Sequence, residues 1–538
     1  MRACGDVMSP SGGWSAKAKL RPSVRAQPNP DCHPRLRNQR EHSQGARDSS
    51  FPSLAPTGAA NLRCHATTAP PSSAPATSHV LAELSSVELK QFDPSKQKKF
   101  DLVVAGGGPS GLAVADRVSE AGFTVCIIDP SPLANWPNNY GVWVDEFEMM
   151  GLDDCFEVVW PRVTVMFDED THGEVSLDRP YGRVDRPKLK KKLLGRCLDQ
   201  GVTFFEQRVS SVTHGDGMSR IMCGDGTEIA GTLVLDATGH ARKLVEYDKK
   251  FDPGYQGAYG VLVEVESHPF DLDAMLFMDW RDGHMQAHPE LKQKNDELPT
   301  FLYVMPFSKT KIFLEETSLV ARPAISFDDL KERLKVRMEW LGLKVLNVEE
   351  EECCLIPMGG ELPTNPQRTL GIGGTAGMVH PATGYMVSRM LGVAPALADA
   401  ITDQLSFPRD QAKDIGSKHV PLTEEEANMA AVRVWQAIWP VERIWQREFF
   451  WFGMEVVLKL NLQETREFFA AFFALSDYHW QGFLSSRHSF TELLGFGWAL
   501  FLKANNETRA NLLVKGAPGL AIMISRLALL TISGRNRK

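Results

Sequence analysis

The run Gly106-Gly107-Gly108-Pro109-Ser110-Gly111 constrains the fold of this chain more than any other stretch. It follows a short apolar run, Leu102 to Ala105, that reads as a buried strand. It opens the segment Ser110 to Ala121, in which Leu112, Ala115 and Val118 fall on one face at helical spacing. Gly122 is a helix stop, and Thr124 to Ile128 reads as a second strand ending at Asp129. Each glycine of the Gly-x-Gly-x-x-Gly pattern has a task. Gly106 permits a tight turn, Gly108 lets the backbone approach a pyrophosphate, and Gly111 lets helix and strand pack closely. The helix N-terminus that follows offers free N–H groups and a positive dipole end to an anion. Asp129 lies 18 residues after Gly111, where a ribose-binding acid belongs. The pattern predicts a dinucleotide-binding βαβ unit on a parallel sheet.

Length sets the scale around this unit. A chain of 538 residues implies roughly two to four domains. Its first 75 residues carry ten basic and four acidic side chains, whereas the remainder carries 49 and 63. That basic, Ser- and Pro-rich head lacks the apolar core of a secretory signal. It reads as an organelle transit peptide, with Pro-richness favouring a plastid and a disordered regulatory tail as the alternative. A net charge of −8 excludes a globally basic nucleic-acid binder. No uninterrupted apolar run reaches about 18 residues, which argues against an ordinary spanning helix. The nine cysteines show no CxxC pair and no zinc-like spacing, so neither a metal site nor a disulfide framework is expected. The run Lys188, Lys190, Lys191, Lys192 reads as a solvated helix face.

Beyond the first unit, TLVLDATG, YGVLVEVE, TFLYVMPF and KIFLEETSLV alternate with turns, which predicts an antiparallel substrate-binding sheet. Arg368 to Ile401 reads as a second strand, glycine turn and helix. From Glu424 the chain becomes helical and aromatic.

Several segments resemble a known family. Leu233 to Gly239, with Asp236 and Gly239, resembles the strand beneath the adenosine half of FAD in lycopene cyclases and flavoprotein hydroxylases. Gly371-Ile-Gly373-Gly374-Thr375-Ala376-Gly377 resembles their late glycine turn, and Arg186 stands where they open a helix near the cofactor. Five further blocks narrow this down: Asn135 to Trp143, Phe277 to Arg281, Phe313 to Thr317, Pro357 to Gly360 and His380 to Met386. Together they resemble the plant and algal lycopene cyclases of the β-ring type, over about Phe100 to Leu530.

The resemblance implies an α/β fold: a Rossmann-like FAD/NAD(P)-binding domain, an inserted antiparallel-sheet substrate domain and a helical C-terminal region. The expected divisions are a transit peptide and linker (1–96), the FAD-binding domain with its interleaved substrate sheet (97–423) and the aromatic helical region (424–538). It implies reduced FAD as cofactor, with NAD(P)H as an indirect reductant. The expected cofactor residues are Gly106, Gly108, Pro109, Ser110, Gly111, Asp129, Arg186, Asp236, Gly239, Gly373, Gly374 and Gly377. His380, in the late glycine turn, is either cofactor-facing or structural.

The implied reaction closes the acyclic ends of lycopene, or of other acyclic-end carotenoids, to β-ionone rings without net redox change. It needs an acid, a base, a dry slot and electron density beside a carbocation. Side chains alternate along a strand, so Glu315 shares a face with Phe313 and Thr317 while Glu316 faces the other way. One carboxylate of the pair can then sit in an apolar pocket with a raised pKa. The expectation is Glu315 as proton donor and Glu316 as orienting partner or base, or the reverse. Trp136, Tyr140, Trp143, Trp280 and Tyr385 are the expected cation-stabilising and channel-lining aromatics, each with core packing as the alternative. Asp279 and Arg281 are expected to pair. The apolar segments Trp445–Leu460, Leu493–Leu502 and Leu520–Leu530 point to peripheral membrane contact or to buried core helices. Other carotenoid enzymes are possible partners. An ε-ring cyclase, a redox flavoenzyme and a non-catalytic lipid binder are the competing readings.

Overall fold

The computed structural model describes Leu84 and residues 87–169, 173–411 and 422–535; the transit-like head up to residue 83 lies outside them. β1 (Lys99–Ala105), the helix Pro109–Glu120 and β2 (Val125–Asp129) form the expected unit, with β1 and β2 parallel. The first sheet runs β8 (Thr203–Glu206), β2, β1, β11 (Glu228–Asp236), β10 (Met218–Cys223), β9 (Val209–Gly215), and β17 (Thr369–Gly371) joins it beside β11. Its centre is parallel, and β9 to β11 form an antiparallel wing. The expected linker joins this sheet before residue 97. Phe204 donates its N–H to Lys90 O and accepts from Phe92 N–H, both at 2.8 Å, so the segment before residue 96 pairs with β8 and buries Leu89 and Phe92.

The second sheet is the expected inserted one. Its order is β16 (Val345–Met358), β12 (Gly254–Val265), β15 (Lys311–Ser318), β14 (Thr300–Pro306), β13 (Ala274–Asp279), β5 (Arg162–Met166) and β6 (Glu174–Leu177). All its pairings are antiparallel except β13 with β5. A small third sheet joins β3 (Gly141–Trp143), β7 (Tyr181–Val184) and β4 (Phe156–Trp160).

The two faces of the second sheet bury different things. One packs Leu302, Leu314 and Val261 against Leu330 and Leu334 of the helix Phe327–Trp340. The other joins Phe301, Phe313 and Leu319 to an aromatic cluster with Trp143, Phe449, Phe472 and Phe496. That cluster is supplied largely by the C-terminal helices Val441–Val457, Leu462–Phe473, Asp477–Leu484, Phe490–Lys503 and Asn506–Arg535. Capping boxes at Asn461/Glu464 and Ser489/Glu492 fix two of these helix starts. The preceding helix, Glu424–Ile438, behaves differently. Its Val434, Trp435 and Ile438 pack with Leu370 and Leu397 in the nucleotide-domain core. The helical region that covers the second sheet therefore begins at Val441 rather than at residue 424.

Candidate active site

A cavity of about 1110 Å³ runs from the first glycine turn, past the second sheet, to the C-terminal helices. At its glycine end two positions admit no side chain. A Cβ on Gly106 (φ +111°) would lie 2.5 Å from Ala237 O, and one on Gly111 would lie 2.2 Å from Gly106 O. Gly108 has nothing within 4 Å of that position and faces the cavity. Asp129 accepts from Gly107 N–H at 2.7 Å and from Ser131 N–H at 2.8 Å, which holds its carboxylate at the cavity rim. Pro109, Ser110, Gly239, Gly373 and Gly374 also line this end. Bare backbone, a helix N-terminus and a rim carboxylate are what a dinucleotide such as FAD requires, so these residues fit that group.

Four expected cofactor residues do not line the cavity. Gly111 acts through close packing alone. Gly377 (φ +73°) ends the short turn Gly373–Ala376. Asp236 is fully buried and accepts from Thr238, Leu244 and Val245 N–H, so it ties down the loop after β11. Arg186 donates to the carbonyls of Trp136 and Pro137 and pairs with Glu350 at 2.7 Å, so it braces a loop against β16. His380 is buried against Phe450, with ring centroids 4.1 Å apart, and burial holds its pKa well below the usual value. It too stays out of the cavity lining, in keeping with the structural reading.

Lys190 reverses its expectation. It is 1% exposed, lines the cavity, donates to Ala134 O and lies 5.3 Å from the Trp136 ring centroid. Burial pushes its pKa down to about 8, against the pull of Asp129. Its lysine neighbours do reach outward, as Lys192 does in pairing with Asp154 at 2.6 Å.

At the middle of the cavity stands Glu315, in β15. Its carboxylate accepts from the Thr317 hydroxyl at 2.7 Å, the same-face neighbour that strand alternation predicts. Burial, and then the charge of Glu352, push its pKa up to about 8. Glu316 is on the other face and does not line the cavity. It is fully buried, accepts from Arg337 at 2.8 and 3.1 Å and from the Thr300 hydroxyl at 2.5 Å, and so has no access to substrate. That corrects its expected catalytic part: the ion pair consumes the carboxylate.

The aromatic expectations divide similarly. Trp136, Tyr140, Trp143 and Tyr385 line the cavity, and the Tyr385 hydroxyl accepts from Trp143 N–H at 2.9 Å. Trp280 does not line it; it stacks on Phe469 with centroids 5.7 Å apart, beside the Asp279–Arg281 pair at 2.7 Å. Core packing is the reading that holds for it.

Sequence reasoning missed three further contributors to the lining. Tyr181 and Tyr303 stand beside Glu315, their hydroxyls 3.4 Å apart. Glu352, in β16, faces the cavity and accepts from Asn139 N–H at 3.1 Å. Burial pushes its pKa up to about 7. The signal for Glu352 lay in strand alternation within Glu349-Glu-Glu-Glu352: Glu349 and Glu351 pair with Lys311 and Lys331, while Glu350 and Glu352 turn to the opposite face. The far end of the cavity is apolar, lined by Phe452, Val457, Phe501, Leu512, Leu513 and Leu520. Among the described residues, no group of His, Cys, Asp and Glu suited to a metal ion is present.

The fold and these residues define a dinucleotide-binding α/β protein with a second, hydrocarbon-lined compartment. The sequence pattern described as "Lycopene cyclase protein" matches residues 101–510, and the chain belongs to that family. It is 52% identical over 440 residues to "Lycopene beta cyclase, chloroplastic" of Arabidopsis thaliana, covering 82% of this chain and 85% of that protein. It is 53% identical, with the same coverage, to "Lycopene beta cyclase, chloroplastic/chromoplastic" of Capsicum annuum. Among solved structures, a geranylgeranyl bacteriochlorophyll reductase-like protein of Thermoplasma acidophilum shares the fold, with a TM-score of 0.50 at 13% identity, covering 70% of this chain and 92% of that one.

Proposed function

We propose that the protein is a plastid lycopene β-cyclase that converts acyclic ends of lycopene to β-ionone rings, by way of γ-carotene, in carotenoid synthesis. One observation carries the chemistry: Glu315 is a buried carboxyl in the wall of an aromatic cavity, where desolvation favours its protonated form. Its proton adds to the terminal double bond, and the neighbouring double bond closes on the resulting cation. Thr317 orients the carboxyl. Trp136, Tyr140, Trp143 and Tyr385 exclude water and offer ring faces to positive charge.

Gly106, Gly108, Pro109, Ser110, Asp129, Gly239, Gly373 and Gly374 would hold FAD, with Lys190 adding a positive charge. Bound there in its reduced form, FAD would supply electron density that stabilises positive charge, with NAD(P)H as its indirect reductant. The chloroplastic names of the relatives and the basic, acid-poor head both support the plastid assignment.

Access to a hydrocarbon substrate lies at the C-terminal helices. Asn506–Leu529 is long and apolar enough to cross a membrane, with a mean hydropathy of 1.5 over its most apolar stretch. The expectation of short, interrupted segments missed it, because charged residues punctuate the run. Those charges turn inward: Lys515 pairs with Glu464 at 2.5 Å and Arg526 with Glu448 at 3.3 Å. Trp498, Leu502, Leu513, Val514, Ile524 and Leu529 remain exposed. Leu513 and Leu520 also line the cavity, which supports contact with lipid at its mouth.

The deciding test supplies lycopene in liposomes, with oxidised or reduced FAD, to wild type and to Glu315→Gln. β-Ring products from wild type with reduced flavin only, without flavin oxidation per turnover, are expected. A rate loss of roughly 10³-fold or more in Glu315→Gln, with flavin still bound, is expected alongside. Oxygenated or desaturated products with stoichiometric reductant loss overturn the reading in favour of a redox flavoenzyme, and ε-rings correct the ring type.

A further inference from the structure

Ring closure needs a base as well as an acid, and the arginine-paired Glu316 cannot serve. The sheet supplies another carboxylate. Strand β12 lies between β15 and β16, and its Gly260 stands opposite Glu315 in one pairing and Glu352 in the other. Directly opposed residues point to the same face of a sheet. Glu315 and Glu352 thus flank a position that has no side chain, and both line the same cavity. A Cβ on Gly260 would lie 3.3 Å from Glu315 Cβ and 2.6 Å from the Phe313 ring.

The surroundings of Glu352 keep its carboxylate free for substrate. Arg183 and Arg186, the nearest cations, are both engaged by Glu350, at 3.0 and 2.7 Å. They attract Glu352 without forming a salt bridge to it. Its hydrogen-bond donor is the Asn139 backbone, from the Asn135–Trp143 loop that also contributes Trp136 and Tyr140. Tyr181, Tyr303 and Tyr385 are poorer bases, since burial makes each phenol harder to ionise.

We propose that Glu352 is the catalytic base that removes the ring proton, so that Glu315 and Glu352 pass one proton between them through the cycle. The step rests on the cyclase reading. The Glu315 carboxyl gives its proton to the CH carbon of the terminal double bond, whose π pair becomes the new C–H bond and leaves a tertiary cation on the dimethyl-bearing carbon that the next double bond attacks. The neighbouring π pair becomes the ring C–C bond and leaves the cation on the adjacent ring carbon. The C–H bond beside that cation then breaks. Its electron pair becomes the ring double bond and its proton goes to the Glu352 carboxylate. Transfer of a proton from Glu352 to Glu315 restores the starting state. The product is an isomer of the substrate, and no electrons leave.

The position of the base also selects the product. A cation denied its base at one C–H loses a proton from another neighbour and gives a displaced double bond. The test compares wild type, Glu352→Gln and Glu352→Asp as full chains, with lycopene in phosphatidylcholine vesicles and reduced FAD. Ring isomers are separated by chromatography, and lycopene binding is followed by tryptophan quenching. In Glu352→Gln we expect kcat to fall about 100-fold or more at unchanged KM. Its residual product should be enriched in ε- or γ-type rings, and Glu352→Asp should restore part of both rate and β selectivity. Wild-type turnover in Glu352→Gln overturns the proposal. So does a purely β residual product with Glu352→Asp as slow as Glu352→Gln. If Glu352→Gln fails to fold, the ring ratio and kcat of Glu352→Asp decide: wild-type values in both overturn the assignment. Failure of wild type to form any ring would instead sink the cyclase reading itself.

Discussion

On one side of the second sheet, Glu316 meets a guanidinium through two hydrogen bonds and a threonine hydroxyl through a third. On the other side, its chain neighbour Glu315 has a threonine hydroxyl, aromatic rings and a second carboxylate. Both are buried, yet only one is neutralised by a partner. A carboxylate bound to an arginine is committed to that pair and holds structure together. One without a cation holds its proton to higher pH and is available to donate it. Adjacent positions in a strand deliver both because the pleat sends them to opposite layers.

Breaking the paired side should have the largest effect on the fold. Arg337→Met leaves Glu316 buried without its cation and is expected to cost about 3–5 kcal/mol, read as a lowered Tm. Flavin binding by the surviving folded fraction should persist, because the pair lies outside the cavity.

The unpaired side should show the opposite sign. Burial raises the folded-state pKa of Glu315 from 4.5 to about 8. Stability linked to this group is therefore fully present below about pH 4.5 and is lost as pH rises through about 8. Glu315→Gln removes that loss. The variant should be more stable than wild type above pH 8, by up to about 5 kcal/mol in denaturant titrations, with the gap closing toward pH 5. An identical pH dependence in both proteins would mean that Glu315 is not held neutral.

A smaller effect is expected at the C-terminal helices that expose apolar side chains. Trp498→Glu should weaken vesicle binding about tenfold in flotation assays, because one exposed aromatic is worth roughly 1.5–3 kcal/mol when buried in lipid. Turnover of lycopene supplied in detergent micelles should change little.

Legibility in the sequence followed the range of the interactions. The glycine turn, the strand carrying Glu315, its face-sharing with Thr317 and the late glycine turn were all written in local patterns. What stayed hidden was set by partners distant in the chain. Arg337 removes Glu316 from the chemistry across 21 residues, and Glu352 reaches the cavity only through the β12–β16 register. Lys190 stands in a charged run whose helix turns one lysine inward, so composition alone misreads it. Arg186 and Asp236 were legible as positions near the cofactor end, but their hydrogen bonds fasten loops. The pairing of Lys515 and Arg526 toward the neighbouring helices appears only once Glu464 and Glu448 are placed beside them.

The cavity joins the glycine turn to the apolar helices as one chamber, with a single Glu315 in its wall. A polyene with two identical tips can present only one of them to that carboxyl at a time. To finish the second tip, the half-closed molecule must back out, turn end for end and re-enter. The one-ringed carotenoid is then a free traveller rather than a captive. How much of it escapes becomes a contest between re-entry and whatever else competes for it.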